Sequence, residues 1–177
     1  MLFKSDPLDA IEGVLKKRKW KYLRVDGETI MTGVAIPPAR LCTLTIRHEL
    51  DRKTVIFLCN VMRSPMDALR AIAGGKPPVM RVHTDAGHSP AQVGSVCDCL
   101  LHLNYGMLLG SFDRDQTDGE IRFRVAIPYR DSRLSAEQAG WCIDVAMISL
   151  DHGMSKVEEI LQNGAGVSAG AGGRLQV

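Results

Sequence analysis

Between Asn104 and Gln138 the chain spells out a helix end, a strand, a turn, a return strand and the start of a new helix. In the return strand Ile121, Phe123, Val125 and Ile127 alternate with Glu120, Arg122, Arg124 and Ala126. A period of two puts the first set on one face of a sheet and the second on the other, so the fold must bury one side of a sheet and leave the other open. Asp118-Gly119 supplies the turn, and Met107 to Asp113 the outgoing strand. The acids Asp113, Asp115 and Asp118 with Gly119 look superficially like a calcium loop. Such a loop needs acidic ligands at its first, third and fifth positions and a bidentate Glu at its twelfth. Here the third acid comes one residue late and Arg124 holds the twelfth place, which leaves the hairpin.

Four more strands are expected at Lys21 to Val25, Thr29 to Ile36, Leu41 to His48 and Thr54 to Val61, with Asp26-Gly27 as a turn and Pro37-Pro38 as a stop. Helix starts are marked by an acceptor side chain before proline at Asp6-Pro7, Ser64-Pro65 and Ser89-Pro90. Ser89-x-x-Gln92 and Ser135-x-x-Gln138 fit the capping box. Leu8, Ile11, Val14 and Leu15 form the apolar stripe of the first helix, and Val93, Val96, Cys97 and Leu100 that of the third. The last helix is expected to cover the buried face with Trp141, Cys142, Val145, Ile148 and Leu150, bend at Gly153 and continue to Leu161. The order is helix, four strands, short helix, longer helix, two strands, helix, which is an α+β chain.

With 177 residues, one domain over 1–163 is expected, with an insert at about 74–88 and a flexible Gly/Ala-rich tail over 164–177. Hydrophobic residues at 45% and charged residues at 24% fit a globular chain rather than a disordered or membrane one. The first residues lack a basic-then-apolar export signal, and five scattered cysteines, an odd number, read as reduced core thiols, so a cytoplasmic location is expected.

The wording Asn104-Tyr-Gly, Gly110-Ser-Phe112-Asp113, Gly119, Pro128-Tyr129 and Leu134-Ser-Ala-Glu-Gln138, together with the element order, resembles the YbjN family over about residues 5–161. These bacterial proteins are labelled sensory transduction regulators and are similar in fold to the type III secretion chaperones. The resemblance implies a bent antiparallel sheet with helices on one face, no catalytic residues, frequent homodimers and a partner that is another protein. The stretch Gly74 to His88 departs from the compact family pattern.

Chemical sites are sparse. Cys99 and His102 share a helix face, but Cys97 points elsewhere, and a closed zinc site needs four convergent ligands. His48, His83, His88 and His152 lie in unrelated contexts, and no Ser occupies a Gly-x-Ser-x-Gly elbow. The fragment Gly164 to Gly170 follows a helix and not a strand, unlike a dinucleotide loop. No enzyme, metal or cofactor is expected. The run Lys16 to Lys21, with Trp20 inside it, has the composition of a nucleic-acid patch. The favoured reading is a helix end whose cations offset the dipole, with Trp20 anchoring the helix to the first strand. In Thr54 to Val61, Val55, Phe57, Cys59 and Val61 can fill the core while Ile56 and Leu58 point the other way. Met107 and Leu109 are expected to join them, with Arg47, Arg122 and Arg124 as a basic border. An apolar patch with a charged rim suits a protein partner in a regulator or chaperone-like role, and it equally suits coverage by the insert or by a second copy.

Overall fold

A computed structural model of the chain describes residues 6–36, 40–62, 79–129 and 132–164. Asp6 caps the first helix, α1 (Pro7–Lys17), by accepting from the Leu8 N–H at 3.0 Å, and Leu8, Ile11, Val14 and Leu15 are buried as their spacing predicts. The helix closes with Lys19 N–H donating to the Lys16 carbonyl and Trp20 N–H to the Leu15 carbonyl, both at 3.0 Å. Lys19 holds φ 58°, the left-handed position usually given to glycine in this cap.

Six strands follow: β1 (Tyr22–Arg24), β2 (Thr29–Ile36), β3 (Arg40–Glu49), β4 (Thr54–Met62), β5 (Ser111–Arg114) and β6 (Ile121–Pro128). They form one antiparallel sheet in the order β1-β2-β3-β4-β6-β5. Cross-strand pairing lines up Ile30, Ile46, Phe57 and Val125 in one row and Leu44, Cys59, Phe123 and Phe112 in the next, all buried. Helix α3 (Ala136–Gly164) packs on β4 and β6, α1 packs against α3, and α2 (Pro90–Tyr105) packs against α3 and β5. The fold is therefore α+β, with the helices gathered on the face that carries these rows. Both expected capping boxes form, Ser89 with Gln92 and Ser135 with Gln138, as reciprocal bonds of 2.9 to 3.2 Å.

Several expectations need correction. The outgoing strand begins at Ser111 and not at Met107. Gly110 has φ 82° and lies so close to Phe123 that an added Cβ would sit 2.6 Å from the ring, so the chain turns before it can pair. Helix α3 runs unbroken through Gly153. A Cβ there would meet the Phe112 ring at 2.1 Å, so this glycine admits a neighbour and does not serve a bend. The buried face of α3 is also rotated from the expected one. It uses Ala139, Cys142, Ile143, Ala146, Met147, Leu150, Met154 and Val157, while Trp141 and Ile148 are 57% and 69% exposed.

Part of the expected insert belongs to the sheet. Val79 bridges to Met62 and Arg81 to Glu120, while Met80 donates to the Val61 carbonyl and accepts from the Ile121 N–H, so this segment wedges between β4 and β6 where they part. Val79 and Val82 are buried there, and Gly119, at φ 73°, lets the hairpin approach the Val82 carbonyl, which a Cβ would meet at 2.5 Å. The short helix expected after Ser64-Pro65, the Pro37-Pro38 stop and the tail beyond Gly164 lie outside the described residues.

Candidate functional site

On the face of the sheet opposite the helices, pairing across the strands sets Leu23, Met31, Thr45, Leu58 and Arg124 in one row. The neighbouring row holds Thr29, Arg47, Ile56 and Ala126, and a third holds Thr43, Asn60, Arg122 and Asp113. Ile56, Leu58, Arg47, Arg122 and Arg124 thus share one surface, as strand alternation predicts. Burial is uneven along it. Thr43, Asn60 and Met62 are buried at one end, Ile56 and Leu58 are half-buried in the middle, and Arg47, Arg124 and Ala126 are exposed.

Met107 and Leu109 do not join this surface. Both lie in the connection before β5 and pack, half-buried, against the hydrophobic core. Their place beside Leu58 is taken by two residues that sequence reasoning missed, Met31, half-buried, and Leu23, 40% exposed. The available signal was the alternation of Leu23 with Tyr22 and Arg24, and of Met31 with the buried Ile30 and Thr32.

The arginines are anchored. Arg47 Nε lies 2.6 Å from Glu49, while Arg122 and Arg124 both reach Asp113, at 3.5 and 2.8 Å. Their side chains remain 50%, 43% and 44% exposed, against 28% for Glu49 and 26% for Asp113, so the arginine is the more exposed member of each pair. Farther along, Glu120 accepts from Asn60 at 2.8 Å and Arg81 pairs with Asp118 at 3.1 Å. An apolar strip with fixed, outward cations can hold an apolar segment and orient its charges; nothing in it resembles a nucleophile beside a base.

Several of the other candidates have partners within the chain. Lys16 pairs with Glu12, and Arg18 forks onto Asp144 at 2.7 and 2.8 Å and donates to the Gly140 carbonyl while lying 5.3 Å from the centre of the half-buried Trp20 ring. Part of the basic run is therefore spent joining α1 to α3. Beside that junction an open groove of about 920 Å³ is lined by Gly13, Val14, Lys17, Glu137 and Trp141. Hydrogen bonding by Tyr22 holds the Glu12 carboxyl below its usual range, with the neighbouring Lys16 and Arg24 acting in the same direction. Cys42, Cys59 and Cys142 are buried; contact with Cys42 and burial push the Cys59 thiol well up, and burial raises that of Cys142 to about 11. Cys97 and Cys99 are half-buried and His102 is exposed, and no group of three or more His, Cys, Asp or Glu side chains gathers as metal ligands among the described residues. No helix among them is long and apolar enough to cross a membrane.

The residues that carry the family resemblance hold the hairpin. Asn104 accepts from the Phe112 N–H at 2.7 Å and donates to the Phe112 carbonyl at 3.0 Å, Asp113 collects the two arginines, and Leu134 is buried. No protein family's profile matches the chain, and no curated protein matches it. Among solved structures the chain is similar to one described as the crystal structure of the ExsC-ExsE complex, at 12% identity, over 91% of this chain and 98% of that one, with a TM-score of 0.44. A likeness of that degree carries no weight for function.

Proposed function

We propose that this chain is a non-enzymatic protein-binding module, a regulator or chaperone-like protein of the YbjN kind, that holds a segment of a partner on the sheet face opposite the helices. The supporting observation is the row Leu23, Met31, Thr45, Leu58 and Arg124, which runs from apolar to basic across five strands, with Ile56 and Arg47 beside it. A homodimer accompanies this reading as the family resemblance implies it, a cytoplasmic setting because five scattered cysteines fit reduced thiols, and no cofactor enters it. Apolar side chains supply contact area, and exposed arginines fix the register of what lies over them.

A pull-down from native lysate tests it, with the chain as bait beside Leu58→Asp and Arg124→Glu variants whose folding is checked by circular dichroism. A protein retained at high salt by the parent and lost with either folded variant is the expected outcome. Retention unchanged by both variants refutes the proposal. Nucleic acid recovered equally by all baits and lost at high salt would instead assign function to the run Lys16 to Lys21.

A further inference from the structure

Resting on that same face, a narrower statement concerns the chemistry of its occupant. We propose that the bound segment is acidic, with Asp or Glu side chains flanking the apolar residues that contact Leu23, Met31, Ile56 and Leu58.

The ground is charge complementarity. Every charged side chain directly beside the half-buried Ile56 and Leu58 in their rows is an arginine, since Arg47 pairs across from Ile56 and Arg124 across from Leu58. Each has a carboxylate partner within the chain, and the arginine side chain is the more exposed member of each pair. Asp113 is shared between Arg122 and Arg124. Of the other acids along this face, Asp115 accepts from Thr117 and acts electrostatically on Arg122, Glu120 accepts from Asn60 and Asp118 pairs with Arg81. A basic segment laid over Ile56 and Leu58 would meet outward guanidinium groups directly, and like-charge juxtaposition suppresses such partners. An acidic segment would add a second carboxylate to arginines already held in place, so little side-chain freedom would be lost on binding.

The row also sets a length. From Leu23 on β1 to Arg124 on β6 there are four inter-strand steps, about 19 Å at 4.8 Å each. The carboxylate that meets Arg124 therefore lies at one end of the segment, and the apolar residue that meets Leu23 at the other.

Two labelled synthetic peptides with the same leucine positions, one with glutamates between them and one with lysines, would be titrated by fluorescence anisotropy into the full chain at low and high salt. The glutamate peptide is expected to bind at least about tenfold more tightly at low salt, the scale of one rim charge pair or two. Arg124→Glu should erase that preference, and Leu58→Asp should weaken both peptides. Equal binding of the two peptides, tighter binding of the lysine peptide, or binding of neither overturns the acidic-segment inference. In the first two cases weakening by Leu58→Asp leaves the face itself standing. Glutamate-peptide binding unchanged by Leu58→Asp and by Arg124→Glu overturns the face as well.

Discussion

Replacing Asn104 by Ala should cost the fold about 1.5 kcal/mol, and the source of that number can be followed atom by atom. β5 is an edge strand, paired only with β6. Asp115 N–H donates to the Glu120 carbonyl, so by the alternation of an antiparallel ladder Asp113 and Ser111 also exchange bonds with β6, while Phe112 turns its N–H and C=O outward. Asn104, near the end of α2, meets both groups with its side-chain amide at 2.7 and 3.0 Å. One side chain thus occupies the place of a neighbouring strand. Two hydrogen bonds at roughly 1 kcal/mol each give about 2 kcal/mol, and the higher helix propensity of Ala over Asn returns roughly 0.5. For a chain of this size the net loss lowers Tm by about 3–6 °C. Thermal melts of Asn104→Ala and Asn104→Asp, with hydrogen exchange at the Phe112 amide, check it. Asn104→Asp keeps the acceptor but turns a second oxygen toward the Phe112 carbonyl, so it should be at least as damaging. A Tm within about 1 °C of the parent, or undiminished protection of the Phe112 amide in the Ala variant, would refute the reasoning.

Gly153→Ala decides between a close contact and a bend by its sign: a bend point would gain roughly 1 kcal/mol from Ala in a helix, whereas displacement of the Phe112 ring, 2.1 Å from the new Cβ, should cost about 1–3 kcal/mol, read as a lower denaturation midpoint. Lys19→Gly should raise stability by about 0.5–1 kcal/mol in the same melts, since it relieves the left-handed strain of φ 58° and loses only part of that gain to unfolded-state entropy. The Cys142 thiol rises from its ordinary 9.0 to about 11 because burial disfavours its thiolate. The folded state therefore holds that proton more tightly than the unfolded state, and the contribution is complete below pH 9 and lost as pH climbs from 9 to 11. Urea melts across that range should show Cys142→Ala falling less steeply than the parent, and parallel slopes would contradict the assignment.

What the sequence made legible were features whose cause is local. Asp6, Ser89 and Ser135 announce helix starts because the acceptor and the N–H groups it serves are within three residues of each other. The alternation in β3, β4 and β6 announces two faces because a strand offers no other periodicity, and it puts Ile56, Leu58, Arg47, Arg122 and Arg124 on one surface. The start of β5 was not legible, since it depends on Asn104 reaching Phe112 and on Gly110 sliding against Phe123, contacts made after the chain has folded back. For that reason the sequence pattern points Met107 and Leu109 to a strand they do not enter. The rotation of α3 has a similar origin. Large side chains such as Trp141 and Ile148 invite burial, but Ala139, Gly140 and Ala146 face inward so that α3 can approach the sheet and α1. A glycine within a helix carries no local sign of whether it bends the axis or receives a ring, so Gly153 needed Phe112 in view.

These same features bear on how the chain can associate. A sheet with free edges invites added strands, and proteins blunt that tendency by covering or shortening them. Here one edge strand, β1, has only three residues, and the other has the outward groups of Phe112 occupied by Asn104. The helix-bearing face is filled by α1, α2 and α3. With the edges blunted and one face taken, the described residues leave the row through Leu23, Met31 and Leu58 as apolar surface on the sheet. A partner that recognises the sheet would then do so through side chains rather than by strand addition. Its affinity should fall with Leu58→Asp and stay unchanged with Asn104→Ala, provided the latter remains folded at the assay temperature. The opposite pattern would move recognition to the β5 edge and away from the face.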